Sequence, residues 1–394
     1  MKGGSEVYLF TVIDELRKRG HEIAAFAMED PKNAETRWSK YFIRAVDYDT
    51  EEVSKKVGFA ARIVYSSEAR KKIGRLMDAF QPDIVHLHIF QHQISTSIVP
   101  EIKKRGIPIV YTAHDLKSIC PNYKMLVHEE LCERCKGRLY YHCLFQKCVK
   151  NSYVKSLVNV VEMYFQLLIR HYDLIDTIVT PSAFFRRKLT EYRFGEGKVL
   201  HIPNCVDVHK LVPHFENDGY CLYFGRLSEE KGVSTLIEAM KRVRAGRLII
   251  AGTGPLEEEI AQKVQAEDIS TVEMVGFKSR EELSALIKNA MCTILPSQWY
   301  ENGPMSLLES FAFGKPVIGS NIGGIPEHIE AGEDGLLFQC GNSEDLADKI
   351  NSLYQDPQRT INLGKRAREK AERFYSVEAH MERLLGVYEE LVIS

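Results

Sequence analysis

Trp299-Tyr300-Glu301-Asn302-Gly303-Pro304-Met305-Ser306-Leu307-Leu308-Glu309 decides the reading of this chain: two glutamates flank a loop of small residues that runs into a helical pattern. The apolar run before it, Met291 to Pro296, reads as a buried strand, so the loop leaves a strand at its carboxyl end, where open α/β sheets bind ligands. Pro304 suits the first helical turn. The amides of Met305, Ser306 and Leu307 are expected to lack intrahelical partners and to face an anionic oxygen, with the helix dipole adding to the attraction. A diphosphate fits there. Glu309, about one and a half turns further in, suits both hydroxyls of a ribose, and Glu301 is placed to hold a sugar. Taken alone, the segment also reads as an ordinary helix start with a solvated glutamate, so its neighbours carry the decision.

Upstream, Tyr220 to Gly225 is a strand ending in glycine, followed by Arg226-Leu227-Ser228-Glu229-Glu230-Lys231-Gly232 and a helical pattern from Val233. Arg226 offers a rigid fork and Lys231 a mobile point charge, a pairing suited to the oxygens of a diphosphate. A surface loop whose cations answer Glu229 and Glu230 is the plainer alternative. Downstream, Gly319-Ser320-Asn321-Ile322-Gly323-Gly324-Ile325-Pro326-Glu327 follows another strand, Lys315 to Ile318. Gly252-Thr253-Gly254-Pro255 also follows a strand, but Glu257 stands where a dinucleotide fingerprint has its third glycine.

Arg226 and Lys231, Glu301 and Glu309 with seven residues between them, and the Gly323-Gly324-Ile325-Pro326-Glu327 turn together resemble the donor site of retaining family-four glycosyltransferases of the GT-B fold. The resemblance covers nearly the whole chain. It implies an α/β architecture of two Rossmann-like domains facing across a cleft, and metal-independent transfer of a sugar from a nucleotide diphosphate sugar with retention of anomeric configuration. It further implies a donor site made of Gly225, Arg226, Lys231, Glu301, Asn302, Gly303, Pro304, Met305, Ser306 and Glu309. In the family, Gly252 and Gly254 lie near the phosphates, and Gly276 and Phe277 near the base. Gly3-Gly4-Ser5-Glu6 is similar to the family's glycine turn after its first strand, and His114 matches the histidine that contacts the donor sugar near the reacting carbon. His114, Glu301, Arg226 and Lys231 are therefore the expected catalytic group. The expected partners are a nucleotide-sugar donor and a glycan or lipid-linked acceptor, with no cofactor required for catalysis.

Composition agrees. The 394 residues suffice for two domains, and 44% hydrophobic with 27% charged is ordinary for a globular chain. A net charge of −2 gives no global pull toward nucleic acid. With no leader pattern and no charge-free run long enough to span a bilayer, the expected location is cytoplasmic, with peripheral contact at the inner face of the plasma membrane as an option.

Short apolar runs at Asp83 to His88, Ile107 to Thr112, Thr177 to Pro181 and Val199 to Pro203 predict parallel strands in the first half, with His86 and His88 in the core or at its rim. Arg247 to Gly252 and Val272 to Phe277 predict the same in the second half. The aperiodic stretch Asn204 to Gly219 reads as a linker. The expected domains are residues 1–212, with an insertion at 117–150 and residues 376–394 packing back on it, and residues 213–375. Val7 to Arg19 reads as the first helix and His21 to Met28 as the second strand; the family's first strand has no counterpart, which suggests a sequence record that begins late.

Five of nine cysteines fall in the insertion. Cys132 and Cys135 have the bite of a zinc knuckle, and Cys120 and Cys148 complete four ligands for a structural zinc, with Cys143 as a substitute. Disulfides and an iron–sulfur cluster are the alternatives. After the insertion, Tyr153 to Tyr172 is apolar except for Lys155, Asn159, Glu162, Gln166 and Arg170, which share one helical face. The wide apolar face is expected to pack on the first domain; with Lys147, Lys150 and Lys155 nearby, a membrane surface is the rival reading.

Overall fold

Alternating strands and helices build two parallel sheets, each in its own unit. The structure, a computed structural model, describes residues 3–45 and 53–393. The first unit comprises Leu9–Pro181, Phe185–Ile202 and Arg383–Ser394; the second comprises Met1–Tyr8, Ser182–Phe184 and Pro203–Glu382.

In the first unit β1 (Val85–His88) pairs with β2 (Ile109–Thr112). A small antiparallel hairpin, β3 (Leu126–Val127) and β4 (Glu130–Leu131), lies in the cysteine-rich insertion. β5 (Thr177–Thr180) and β6 (Val199–His201) complete a four-stranded sheet in the order β1-β2-β5-β6, parallel throughout. β2 and β5 are buried at every position, as expected of central parallel strands covered on both faces. His21 to Met28 does not form the expected strand. Met28 makes one isolated bridge to Ile43, and the preceding residues find no ladder among the described residues. Apolar character gives a strand only where a neighbour supplies the hydrogen bonds.

The second unit holds six parallel strands: β7 (Tyr220–Phe224), β8 (Arg247–Ala251), β9 (Val272–Gly276), β10 (Cys292–Leu295), β11 (Val317–Ser320) and β12 (Gly335–Phe338). Their order is β12-β11-β10-β7-β8-β9. The chain builds outward from β7 through β8 to β9, then returns to the other side of β7 with β10. The β7/β10 boundary is therefore the point where strand order reverses, and its carboxyl end is where such sheets leave a crevice for a ligand. β11 starts two residues later than the expected Lys315, because Lys315 N–H still closes the preceding helix end on Ser310 O at 2.9 Å.

Leu236, Ile237, Leu248, Ile250, Ile318 and Ile350 belong to one core cluster and are fully buried, each contributing about 1.5–3 kcal/mol. Local signals set the helix starts: Ser279 and Glu282 form a reciprocal capping box before Arg280–Asn289, and Asn342 caps Ser343–Gln355. The expected linker has no regular element, yet it is fastened down, with Arg368 donating to the carbonyls of Val208 and Leu211. The closing helix, Val377–Ile393, is divided between the two units. Among the described residues no helix is long and apolar enough to cross a membrane.

Candidate functional site

The loops after β7, β8 and β9 are stitched together by main-chain bonds. Gly225 N–H donates to Ala251 O at 3.0 Å, Leu227 N–H to Thr253 O at 3.0 Å, and Gly252 N–H to Gly276 O at 2.8 Å. Contact is so close that side chains are excluded: a Cβ on Gly252 would lie 1.9 Å from Gly225 O, and one on Gly254 2.2 Å from Leu227 O. Both expected donor glycines thus have a packing reason of their own. Across the β7/β10 boundary Gly232, with φ +67°, approaches Pro296 so closely that a Cβ would lie 1.9 Å from its carbonyl oxygen. The Gly323-Gly324 turn sits on the Glu301-Asn302 backbone, where Gly324 N–H donates to Glu301 O at 2.7 Å and an added Cβ would lie 2.2 Å from Asn302 O.

This framework holds the charged groups. Lys231 Nζ lies 2.6 Å from Glu301 Oε1 and 5.1 Å from the centre of the Trp299 ring. Ser297 donates to the same Glu301 oxygen at 2.7 Å. Burial pushes the Glu301 carboxyl up, but the Lys231 ammonium and these hydrogen bonds outweigh it and hold it below the usual carboxylate range. The sequence assigns Lys231 to phosphate and Glu301 to sugar as separate contacts; the structure makes them an ion pair of a half-buried ammonium and a buried carboxylate. Arg226 is exposed, with its carbonyl accepting from Tyr223 Oη at 2.8 Å.

The helix Met305–Ala312 has Pro304 as its N-cap, in extended conformation, one residue before the expected position. Met305 and Ser306 open the helix, where no preceding turn supplies carbonyls. Leu307 differs from expectation: its N–H donates to Pro304 O at 3.1 Å in a tight first turn and is spent. Glu309 is partly buried further along, and burial pushes its carboxyl up to about 7 against the pull of Arg280. Hydrogen bonds donated to this carboxyl would favour its ionised form and offset part of that burial cost. Gly4, the start of helix Gly4–Lys18, lies against Met305, whose Cγ is 2.9 Å from where a Cβ would stand. Gly3 accepts from the Glu6 and Val7 amides at that helix start. Gly276, at φ +66°, ends β9 and turns Phe277 outward, 76% exposed.

Sequence reasoning missed the residues that brace this loop from afar. Ser182 Oγ donates to Asn302 Oδ1 at 2.9 Å, and Asn204 Nδ2 to Gly303 O at 2.8 Å. Both partners are about a hundred residues away in sequence, and no local pattern marks them.

In the first unit His114 follows β2, and its Nε2 lies 3.0 Å from His88 Nδ1. His88 stacks on His86 with ring centres 4.1 Å apart, and His86 is held by Thr112 Oγ1 at 2.7 Å and Tyr388 Oη at 2.6 Å. Burial draws His114 down to about 4, so at neutral pH it is an uncharged hydrogen-bonding group. His88 was read only as core or rim. Its i, i+2 spacing from His86, on the strand paired with β2, was the available signal.

The expected zinc ligands do not fit a metal in this geometry. Among the described residues no three His, Cys, Asp or Glu side chains form a metal-ligating group. Cys120 Sγ donates instead to Asn122 Oδ1 at 3.0 Å, and its burial pushes the thiol up to about 12. Cys135 and Cys143 pack in an apolar cluster with Tyr140, Val160 and Met163, where burial raises Cys135 as well. Cys148 donates to Cys143, drawing Cys143 down and Cys148 up. Cys132 stands at intermediate exposure with its thiol free of any disulfide. The two-residue bite gathered the thiols into one loop, but packing and hydrogen bonds use them.

A family model described as Glycosyl transferases group 1 matches residues 208–370, and one described as Glycosyltransferase Family 4 matches residues 2–210. Among curated proteins, an uncharacterized glycosyltransferase of Methanocaldococcus jannaschii is 30% identical over 217 residues, covering 55% of this chain and 60% of that protein. The chain spans about half the length of the first curated relatives it matches. In structure, the sucrose-phosphate synthase of Thermosynechococcus elongatus superimposes with a TM-score of 0.75 at 19% identity, covering 99% of this chain and 94% of that one. Anabaena HepE in complex with UDP-glucose does so with a TM-score of 0.66 at 17% identity, covering 99% and 97%. The likeness to these structures is one of fold, two Rossmann-like units of the GT-B class.

Proposed function

The chain belongs to Glycosyltransferase Family 4, and from that premise we propose that it is a hexosyltransferase moving a sugar from a nucleotide diphosphate sugar to a glycan or lipid-linked glycan. The reaction retains anomeric configuration, needs no metal, and serves cell-surface polysaccharide synthesis on the cytoplasmic side. The observation that carries this reading is the Lys231–Glu301 pair, 2.6 Å apart, formed between the loops after β7 and β10, where strand order reverses, with the helix Met305–Ala312 following in the same loop.

A departing nucleoside diphosphate gains negative charge as the bond from the anomeric carbon to phosphate oxygen breaks, and fixed cations and amides there lower the barrier. Lys231, Arg226 and the Met305 and Ser306 amides supply that stabilisation. Glu301 aligns Lys231 and accepts from the sugar. Glu309 takes the ribose hydroxyls, the Gly252–Gly254 turn lines the phosphates, and Gly276-Phe277 lines the base; Gly3 and Gly4 border the same helix start. His114, neutral, donates to or accepts from the sugar. Retention follows from same-face attack: the acceptor oxygen bonds to the anomeric carbon as phosphate leaves, and the acceptor's proton passes to the departing phosphate oxygen. The UDP-glucose bound to HepE supports a uridine donor as the first to try.

The test is a panel of nucleotide sugars assayed for hydrolysis and transfer with and without acceptor glycans. Transfer with one donor is expected. Donor binding without turnover would identify a nucleotide-sugar-binding partner, and acceptor-free interconversion of the donor an epimerase; either would replace this reading.

A further inference from the structure

The helix Tyr153–Ile169 buries four polar residues beside Val160 and Met163 and leaves an aliphatic stripe outside. Its buried residues include Ser156 at 0%, Asn159 at 7%, Glu162 at 2% and Gln166 at 6% exposure, whereas Val154 is 73%, Leu157 47%, Val161 48% and Leu168 80% exposed. The inward polar groups have partners. Lys117, itself 2% exposed, places its ammonium 2.7 Å from Asn159 Oδ1 and 2.8 Å from Glu162 Oε2, and Gln166 accepts from Thr96 Oγ1. A buried ion pair of this kind fixes which face of the helix turns inward, since rotating the helix would strand two charges in the core. The expected packing of the apolar face is met in part: Val160 and Met163 are buried with Cys135, Tyr140 and Cys143, whereas Val154, Leu157, Val161 and Leu168 form an outer stripe.

An outward stripe of aliphatic side chains on a helix this polar within is the reverse of a soluble surface helix. Its surroundings are cationic. Lys147 and Lys150 lie just before the helix and Lys155 in its first turn, and Lys147 Nζ stands 4.6 Å over the ring of Tyr153. The helix's one acidic residue, Glu162, is buried, so its outer face carries no negative charge. Phe145, 69% exposed, ends the short helix His142–Phe145 that packs alongside. Aliphatic stripe, aromatic side chains at the margin and lysines at one end match an interface that is apolar at depth and anionic at its surface. A two-fold contact with a second copy would bring these lysines together with no acid on the same face to answer them.

We infer that the helix Tyr153–Ile169, with Phe145 and the lysines before it, is a docking surface for an anionic lipid bilayer, lying in the plane of the headgroups. The inference does not rest on the transferase reading. It is tested by flotation of the whole chain with vesicles of phosphatidylcholine alone and with about one-third phosphatidylglycerol. The protein is expected to float with the anionic vesicles only and to be released as salt rises. Lys147→Ala/Lys150→Ala/Lys155→Ala should weaken partitioning about a hundredfold. Val154→Asp/Leu168→Asp should abolish it, while the melting temperature of both variants stays that of the parent. Equal flotation on both vesicle types, undiminished flotation of the aspartate variant, or a wild-type dimer that Leu168→Asp dissociates without any vesicle binding would each overturn the inference.

Discussion

The strand ends of the two units treat charge in opposite ways. In the second unit a full ion pair, Lys231 with Glu301, is retained inside a frame of glycines packed backbone on backbone. In the first unit His114, His88 and His86 form a hydrogen-bonded row in which burial keeps His114 uncharged. Fixed charge suits a ligand whose own charge grows during reaction, and a neutral donor-acceptor suits hydroxyls. Each site is thus recognisable by what burial has been allowed to do to its ionisable groups.

The most forceful way to break this contrast is Lys231→Met. The proposed transfer should fall about a hundred- to a thousandfold. Glu301, left buried beside Ser297, should also lower the melting temperature. Lys231→Met/Glu301→Gln should recover the melting temperature but not the rate; recovery of both would show that the cation has no part in the reaction.

Next comes the frame. Gly232→Ala combines φ +67° with a Cβ 1.9 Å from Pro296 O, whereas Gly197, at φ +77°, has nothing within 4 Å of its Cβ position. Denaturant melts should show a loss of about 3 kcal/mol or more for Gly232→Ala and about 1 kcal/mol for Gly197→Ala. Equal losses would mean that close packing adds nothing at the reversal point.

The smallest effect sharpens the comparison through pH. Glu309 titrates at about 7 when folded against 4.5 ordinarily, so its contribution is complete below 4.5 and is lost as pH rises through 7. His114 titrates at about 4 against 6.5, so its contribution is present above 6.5 and is lost as pH falls through 4. The two windows overlap and the slopes oppose one another, so in thermal melts between those values Glu309→Gln should make stability climb more steeply with pH and His114→Gln less steeply. Slope changes of the same sign in both variants would contradict the assignment.

Much of this was legible in the chain. Strands β7, β8, β9 and β10 declare themselves as apolar runs ending in glycine or proline, and the glutamate loop falls where the strand order reverses. Three things were not. Helix periodicity identifies two faces of Tyr153–Ile169 but not which one turns inward, because Lys117 lies 45 residues from its partner Glu162. Cysteine spacing reports the bite of a pair and not whether thiols converge. The pairing of Lys231 with Glu301 joins loops seventy residues apart, which the packing of Gly232 on Pro296 and the Gln298 N–H to Glu230 O bond bring together.

That packing has a practical consequence for redesign. Gly232, Gly252, Gly254 and Gly324 leave no room for even a methyl group, so the loops they join have no freedom to be recut for a different nucleotide. Adaptability has to reside at the margin, in groups such as Phe277 that face solvent. Libraries aimed at new donors should leave the glycines alone and vary that rim.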